Sequence, residues 1–231
     1  MITTRSRALA MIIAGHVLVN DEPITKPGTL VRKDANFRLR EPELKYVSRG
    51  ALKLKKALEE FQIGVSGKIA LDVGASTGGF TEVLLEAGAI KVNAIDVGTN
   101  QLAWKIRSDP RVESRENYNA RYLEFEHFKV FFDVIVMDVS FISIRLILPA
   151  LQHIMKPGTE LVVLFKPQFE VGKEWVEDGG IVRNQEIAQG VMKETLEWAE
   201  KTIQLIVKGM IPSPILGTDG NHEYLIHWIK Q

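Results

Sequence analysis

The sequence predicts an α/β protein: a mostly parallel, doubly wound sheet with an antiparallel terminal strand, preceded by a small α+β module. Three observations predict it. From residue 68 onward, short apolar runs alternate with amphipathic ones, the pattern of strands buried on both faces and joined by helices. A glycine-rich turn, Asp72-Val-Gly-Ala-Ser-Thr-Gly-Gly-Phe80, lies between the apolar Ile69-Ala-Leu71 and the amphipathic Thr81-Glu-Val-Leu-Leu85. That order is a buried strand, a tight turn and a helix N-terminus, where open α/β sheets bind nucleotide-like ligands. The third observation is charge. Residues 1–50 hold nine Lys or Arg against five Asp or Glu, so the remainder of this 231-residue, zero-net-charge chain is acidic. A basic module on an acidic body suits contact with a polyanion, and a merely solvated basic face is the alternative.

In the module, Thr4 to Ala14 reads as a short helix with Leu9, Ile12 and Ile13 on one side, and Gly15 as its C-cap. Strands are expected at His16–Val19, Pro23–Thr25, Thr29–Val31 and Asn36–Leu39, separated by the turns Asn20-Asp21 and Lys26-Pro-Gly28. The module spans residues 1–40. A linker at 41–47 follows, because Glu41-Pro42-Glu43 combines a helix-disfavouring proline with exposed charge.

The large domain, 48–231, opens with a helix to about Gln62, with Ser48 as N-cap and Ala51, Leu54, Leu58 and Phe61 on the buried stripe. Lys53 and Lys55 flank that stripe, and the helical wheel does not choose between them. Strands are expected at 68–73, 92–97, 132–138 and 160–165. Helices are expected at 80–87, 100–108, 142–155 and 185–207. Ile211–Ile215 and Glu223–Ile229 read as a terminal antiparallel pair.

Composition excludes several classes. The chain has no cysteine, so disulfides, thiol catalysis and thiolate metal sites are ruled out; no metal site is expected. No apolar run approaches the roughly 18 residues of a membrane span, which makes a cytoplasmic protein with no membrane role the expectation. No obligate protein partner is inferred.

The glycines say which ligand is expected. A dinucleotide loop needs Gly-x-Gly-x-x-Gly so that a pyrophosphate can touch the backbone. Here Ser76 stands at the second glycine position and the glycines are Gly74, Gly78 and Gly79, with no P-loop lysine. A nucleoside ligand without phosphates fits better, and S-adenosyl-L-methionine is the obvious one. Asp96, 24 residues beyond Asp72, is near the ~20-residue offset at which a carboxylate reaches a ribose diol; capping a turn is its structural alternative. The expected cofactor contacts are Asp72, Gly74, Ser76, Thr77, Gly78, Gly79, Phe80, Asp96, Val97 and Asn119. Asp72 could instead order the loop, and the segment around Asn119 could be an ordinary loop. Asp138 and Lys166 end apolar strands, and the carboxyl ends of such strands open on the ligand crevice.

Two resemblances follow from ordered motifs. The run from Ser6-Arg-Ala-Leu-Ala through Val17-Leu-Val-Asn20 to Lys26-Pro-Gly28-Thr29 resembles the RNA-binding module named after ribosomal protein S four, entered at what corresponds to its second helix. Five further motifs resemble the TlyA, or hemolysin A, family of FtsJ-like ribose 2′-O-methyltransferases acting on ribosomal RNA. They are Ser48-Arg-Gly-Ala-Leu-Lys53-Leu, the Asp72–Glu82 stretch, Asp138-Val-Ser-Phe-Ile-Ser143, Lys166-Pro-Gln-Phe-Glu170 and Gly220-Asn-His-Glu223-Tyr. That resemblance implies a Rossmann-like methyltransferase fold, S-adenosyl-L-methionine as cofactor, and ribosomal RNA or ribosomal subunits as partner.

It also implies a catalytic set of Lys53, Asp138, Lys166 and Glu223, and so selects Lys53 over Lys55. A ribose hydroxyl must lose its proton as it attacks, and a lysine accepts one only when neutral. Lys166 is thus a general base or an electrostatic holder of the developing alkoxide, with Asp138 and Glu223 orienting. The candidate RNA contacts are Arg5, Arg7, Lys26, Arg32, Lys33 and Arg49. Phe169, Trp175 and the Gly179-Gly180 turn are expected as a rim over the RNA, with plain packing as the alternative. Competing functions are a non-catalytic ribosome-assembly factor and a small-molecule methyltransferase. Membrane lysis has no spanning segment or long amphipathic hairpin to support it.

Overall fold

The computed structural model describes residues 5–13, 15–39 and 45–231, without the side chains of residues 5–7 and 10. Arg5 and Arg7 therefore lie outside the described side chains, and most of the expected linker lies outside the described residues. The chain divides into two units, residues 1–45 and 46–231.

The smaller unit has helix α1 (Arg5–Ile13) and strands β1 (Val17–Val19), β2 (Glu22–Ile24) and β3 (Phe37–Leu39). They pair antiparallel in the order β2-β1-β3. Asn20 and Asp21 both take positive φ, 50° and 67°, the backbone of a tight two-residue hairpin. The strand expected at Thr29–Val31 does not form: Leu30 is 99% exposed and, among the described residues, none pairs with it.

The larger unit is built on one seven-stranded sheet. Its strands are β4 (Ile69–Val73), β5 (Lys91–Ile95), β6 (Val112–Arg115), β7 (Phe132–Met137), β8 (Met155–Phe165), β9 (Leu205–Pro212) and β10 (Tyr224–Lys230), in the order β6-β5-β4-β7-β8-β10-β9. Strands β6 to β8 run parallel through β5, β4 and β7, and β10 pairs antiparallel with both β8 and β9. Val134, Ile135, Val136, Leu161, Val162 and Val163 are fully buried, as the near-continuous apolar strands require. Helix α2 (Gly50–Glu60) and helix α3 (Gly79–Glu86) cover one face; helix α6 (Leu148–Leu151) and helix α7 (Gln185–Ile203) cover the other.

Several boundaries depart from expectation for physical reasons. Helix α7 stops at Ile203, because Gln204 takes a left-handed φ of 54° and Leu205 enters β9, fully buried. Only helix α4 (Trp104–Arg107) forms within 100–108: Asn100 has φ 54° and Ala103 is extended. Helix α5 (Phe125–Phe128) is a further single turn. The stretch 142–155 breaks into α6 and two 3₁₀ turns, with Pro149 early in α6, where a missing N–H costs least. Ser48 does not cap α2; Arg49 is the N-cap and makes no side-chain cap bond. Tyr46 and Val47 belong to the larger unit, with the Tyr46 hydroxyl donating to Glu86 (2.7 Å) and the Val47 N–H to Glu82 (2.7 Å).

Candidate active site

Asp96 and the four candidate catalytic residues gather at one end of the sheet, the carboxyl end of its parallel strands. Asp96, Asp138 and Lys166 follow the last residues of the parallel strands β5, β7 and β8. Strand β10 is antiparallel and pairs Tyr224 with Phe165, so its start carries Glu223 to that same end. Lys53 lies in the first turn of α2 and is buried, whereas Lys55 is half-buried near the Tyr46 hydroxyl. The structure thus distinguishes the two lysines that the helical wheel did not.

Two ion pairs result. Lys53 Nζ meets Glu223 Oε2 at 2.5 Å, with side chains 10% and 3% exposed. Lys166 Nζ meets Asp138 Oδ1 at 2.6 Å and donates to Ser140 Oγ at 2.9 Å. Such burial is tolerable because each charge has a close opposite partner. All four side chains line one polar cavity of about 310 Å³, together with Ser48, Arg49, Ser140, Thr218 and the glycine loop. Gly217 leaves room for this arrangement, since a Cβ there would lie 2.6 Å from Glu223 Oε1.

A second cavity, about 420 Å³, shares Gly74, Ser76, Asp138 and Ser140 with the first. Its wall is mostly apolar: Ile95, Val97, Tyr118, Ala120, Ile142 and Ile147, with Asp96 and Asn119 as polar points. The Asp96 carboxylate is aimed by two backbone N–H groups, Ser76 and Gly98, each at 2.7 Å. Ser76 pays for this with a left-handed φ of 48°, a conformation that suits glycine better.

The loop is not a phosphate cradle. The N–H groups of Gly74 and Ala75 bond to the Ile95 carbonyl, that of Gly78 to the Ala75 carbonyl, and that of Ser76 to Asp96. A pyrophosphate needs free N–H groups there. Asp72 is fully buried, its Oδ2 accepts the Thr81 hydroxyl at 2.6 Å, and its Oδ1 has no partner. Burial pushes its pKa up to about 7, with Asp138 and Asp96 adding to the rise. An apolar slot with the Asp96 carboxylate at its end fits a nucleoside ligand without phosphates, such as S-adenosylmethionine.

The expected cofactor contacts divide. Gly74, Ser76, Asp96, Val97 and Asn119 line the apolar slot, and Thr77, Gly79 and Phe80 line the polar cavity. Asn119 Oδ1 also accepts the Arg121 N–H, so that side chain caps a turn. Asp72 and Gly78 reach neither cavity. Asp72 lies beneath the loop; Gly78 packs on Leu102 and Ile106, where a Cβ would lie 2.9 Å from Leu102. Of the RNA candidates, Arg49 is exposed at the polar cavity, Lys26 and Lys33 are exposed on the smaller unit, and Arg32 is bound to Asp34 through two hydrogen bonds.

Some residues carried no local signal. Ser140 holds Lys166, and Phe141, 92% exposed with φ 62°, stands at the slot with its ring 5.2 Å from that of Phe169. A bulky side chain at positive φ is strained, and such strain gathers at functional sites. Trp175 is exposed farther out, beside Glu170 and Arg145.

A fold of this strand order with a phosphate-excluding nucleoside slot defines a methyltransferase-like enzyme. The chain belongs to the FtsJ-like methyltransferase family, whose profile matches residues 46–230, and an S4 domain matches residues 1–37. It is 43% identical over 229 residues to the 16S/23S rRNA (cytidine-2′-O)-methyltransferase TlyA of Mycobacterium tuberculosis, covering 98% of this chain and 84% of the relative. Identity to Hemolysin A of Brachyspira hyodysenteriae is 42% over 231 residues, covering 98% and 94%. A solved structure from Streptococcus thermophilus, described as a hemolysin, is 45% identical with a TM-score of 0.83, covering 100% of this chain and 84% of that one.

Proposed function

We propose that the protein methylates the 2′-hydroxyl of a ribose, at a cytidine of ribosomal RNA, using S-adenosylmethionine. The observation that carries this reading is the joining of two cavities: one polar and lined by Lys53, Asp138, Lys166 and Glu223, the other apolar and read by Asp96. The naming of the Mycobacterium relative supports the substrate, and the match of residues 1–37 to an S4 domain supports a second RNA contact.

The cofactor, held by Gly74, Ser76, Asp96, Val97 and Asn119, supplies a methyl group on a cationic sulfur. The chain supplies the rest. Lys166, fixed by Asp138 and Ser140, binds the 2′-oxygen; in its neutral form it accepts the hydroxyl proton, or, as the ammonium paired with Asp138, it stabilises the charge that develops as that proton passes to solvent. Lys53 and Glu223 line the same cavity, and their pairing leaves neither buried charge bare. Phe141, exposed next to Ser140, offers a face on which a base of the RNA can stack.

The test is transfer of labelled methyl from S-adenosylmethionine to unmodified ribosomal subunits. The wild type labels RNA and Lys166→Ala does not, while still binding cofactor. Full labelling by Lys166→Ala sinks the mechanism. Cofactor binding without any labelling by the wild type favours an assembly factor instead.

A further inference from the structure

Asp96 is not the only polar side chain at its end of the slot. The loop after β5 turns back over Gly98, and Gln101 lies across that glycine while lining the slot. A Cβ on Gly98 would sit 2.0 Å from Gln101 Nε2 and 3.1 Å from Asp96 Oδ1. The carboxamide and the carboxylate therefore flank the same small space, one able to donate and the other only to accept. A ribose diol is a pair of adjacent hydroxyls, each donor and acceptor at once, and a mixed pair of readers suits it better than a carboxylate alone.

The position of Gln101 is built from elsewhere. Glu116, just past β6, accepts the backbone N–H of Asn100 (2.8 Å), Gln101 (3.0 Å) and Leu102 (3.5 Å), and the guanidinium of Arg107 at 2.5 Å. Backbone hydrogen bonds, that of Asn100 foremost, hold the Glu116 carboxyl below its usual range. The gathered N–H groups set the left-handed turn at Asn100 (φ 54°), and Leu102 then packs under Gly78. One carboxylate thus fixes the whole turn that presents Gln101.

We propose that Gln101 is a second reader of the cofactor ribose, beside Asp96, and that Glu116 is the positioning residue that holds it there. This rests on the cofactor reading above, and its test is binding rather than turnover. Titration calorimetry with S-adenosylhomocysteine and its 2′-deoxy and 3′-deoxy ribose analogues compares the wild type, Gln101→Ala, Gly98→Ala and Glu116→Gln. Losing one neutral hydrogen bond weakens the parent ligand by about 5–10-fold in Gln101→Ala. Gly98→Ala, whose Cβ would displace the carboxamide and also press on Asp96 Oδ1 at 3.1 Å, weakens the parent ligand at least as much.

With the analogue lacking the hydroxyl that Gln101 reads, the wild type and Gln101→Ala bind alike. Glu116→Gln weakens the parent ligand too, and adds no further loss in the Gln101→Ala background. Equal losses for the parent and both analogues make Gln101 a matter of loop shape and overturn the proposal, as does unchanged binding by Gln101→Ala. No binding by the wild type overturns it together with the cofactor reading. A Glu116→Gln loss that persists in full without Gln101 removes the positioning role.

Discussion

The Lys53–Glu223 pair makes a sharp prediction because stability and activity should separate there. The two groups meet at 2.5 Å, with side chains 10% and 3% exposed, and they join α2 to the start of β10. At an effective dielectric of ~20 their direct attraction is about 7 kcal/mol, most of it offset by the cost of taking both ions out of water. Removing either partner strands the other, so Lys53→Met or Glu223→Met should each cost about 3–5 kcal/mol. The double variant buries two apolar side chains instead and should recover most of that loss, a coupling of at least ~2 kcal/mol. Activity should behave differently, near zero in both single variants and equally so in the double. Urea unfolding followed by tryptophan fluorescence is the assay, since Trp104, Trp175, Trp198 and Trp228 all lie in the larger unit. Additive losses would show that the pair is not mutually dependent. A double variant that still methylates RNA would refute a catalytic wall built from it.

Three further outcomes follow from single positions. Asp72 has a folded-state pKa raised to about 7 from 3.8, so the folded form holds its proton more tightly across that interval. The stability this gives is full below pH ~4 and lost as pH rises to ~7, by up to about 4 kcal/mol; denaturation of Asp72→Asn should show a flatter profile. A Cβ at Gly74, whose φ is 81°, would lie 2.4 Å from the Asp138 carbonyl oxygen, so Gly74→Ala should cost about 2–4 kcal/mol in unfolding experiments and displace the partner of Lys166. On the smaller unit, Lys26→Ala and Lys33→Ala should each reduce the salt dependence of RNA binding by about one counterion, measured by filter binding across salt. Arg32→Ala should change it less, because Asp34 already neutralises that guanidinium.

The legible parts of this molecule were those written in local chemistry. The buried strands read directly from apolar runs, and Ser76 within the glycine turn pointed away from phosphate before the loop's N–H groups were seen to be spent. Strand-end positions put Asp96, Asp138 and Lys166 at one end of the sheet. Glu223 joins them because the antiparallel β10 pairs with β8, Tyr224 opposite Phe165, a neighbour and register that no local pattern carries. Residues 100–103 form a turn where helix was expected, because their order comes from Glu116, which is 14 residues beyond Leu102. Of the two roles expected for Asp72, beside the ligand or ordering the loop, its bond from the Thr81 hydroxyl fits the second. The exposed, strained Phe141 had no signal of its own, since a lone aromatic in sequence reads as core.

The central claim, that a ribose hydroxyl and not a base is the acceptor, is tested most directly by the product. Ribosomal RNA methylated by the wild type is digested to nucleosides and analysed by mass spectrometry. The account predicts 2′-O-methylcytidine, formed by the wild type and absent with Lys166→Ala. A methyl group found on a nucleobase would contradict it.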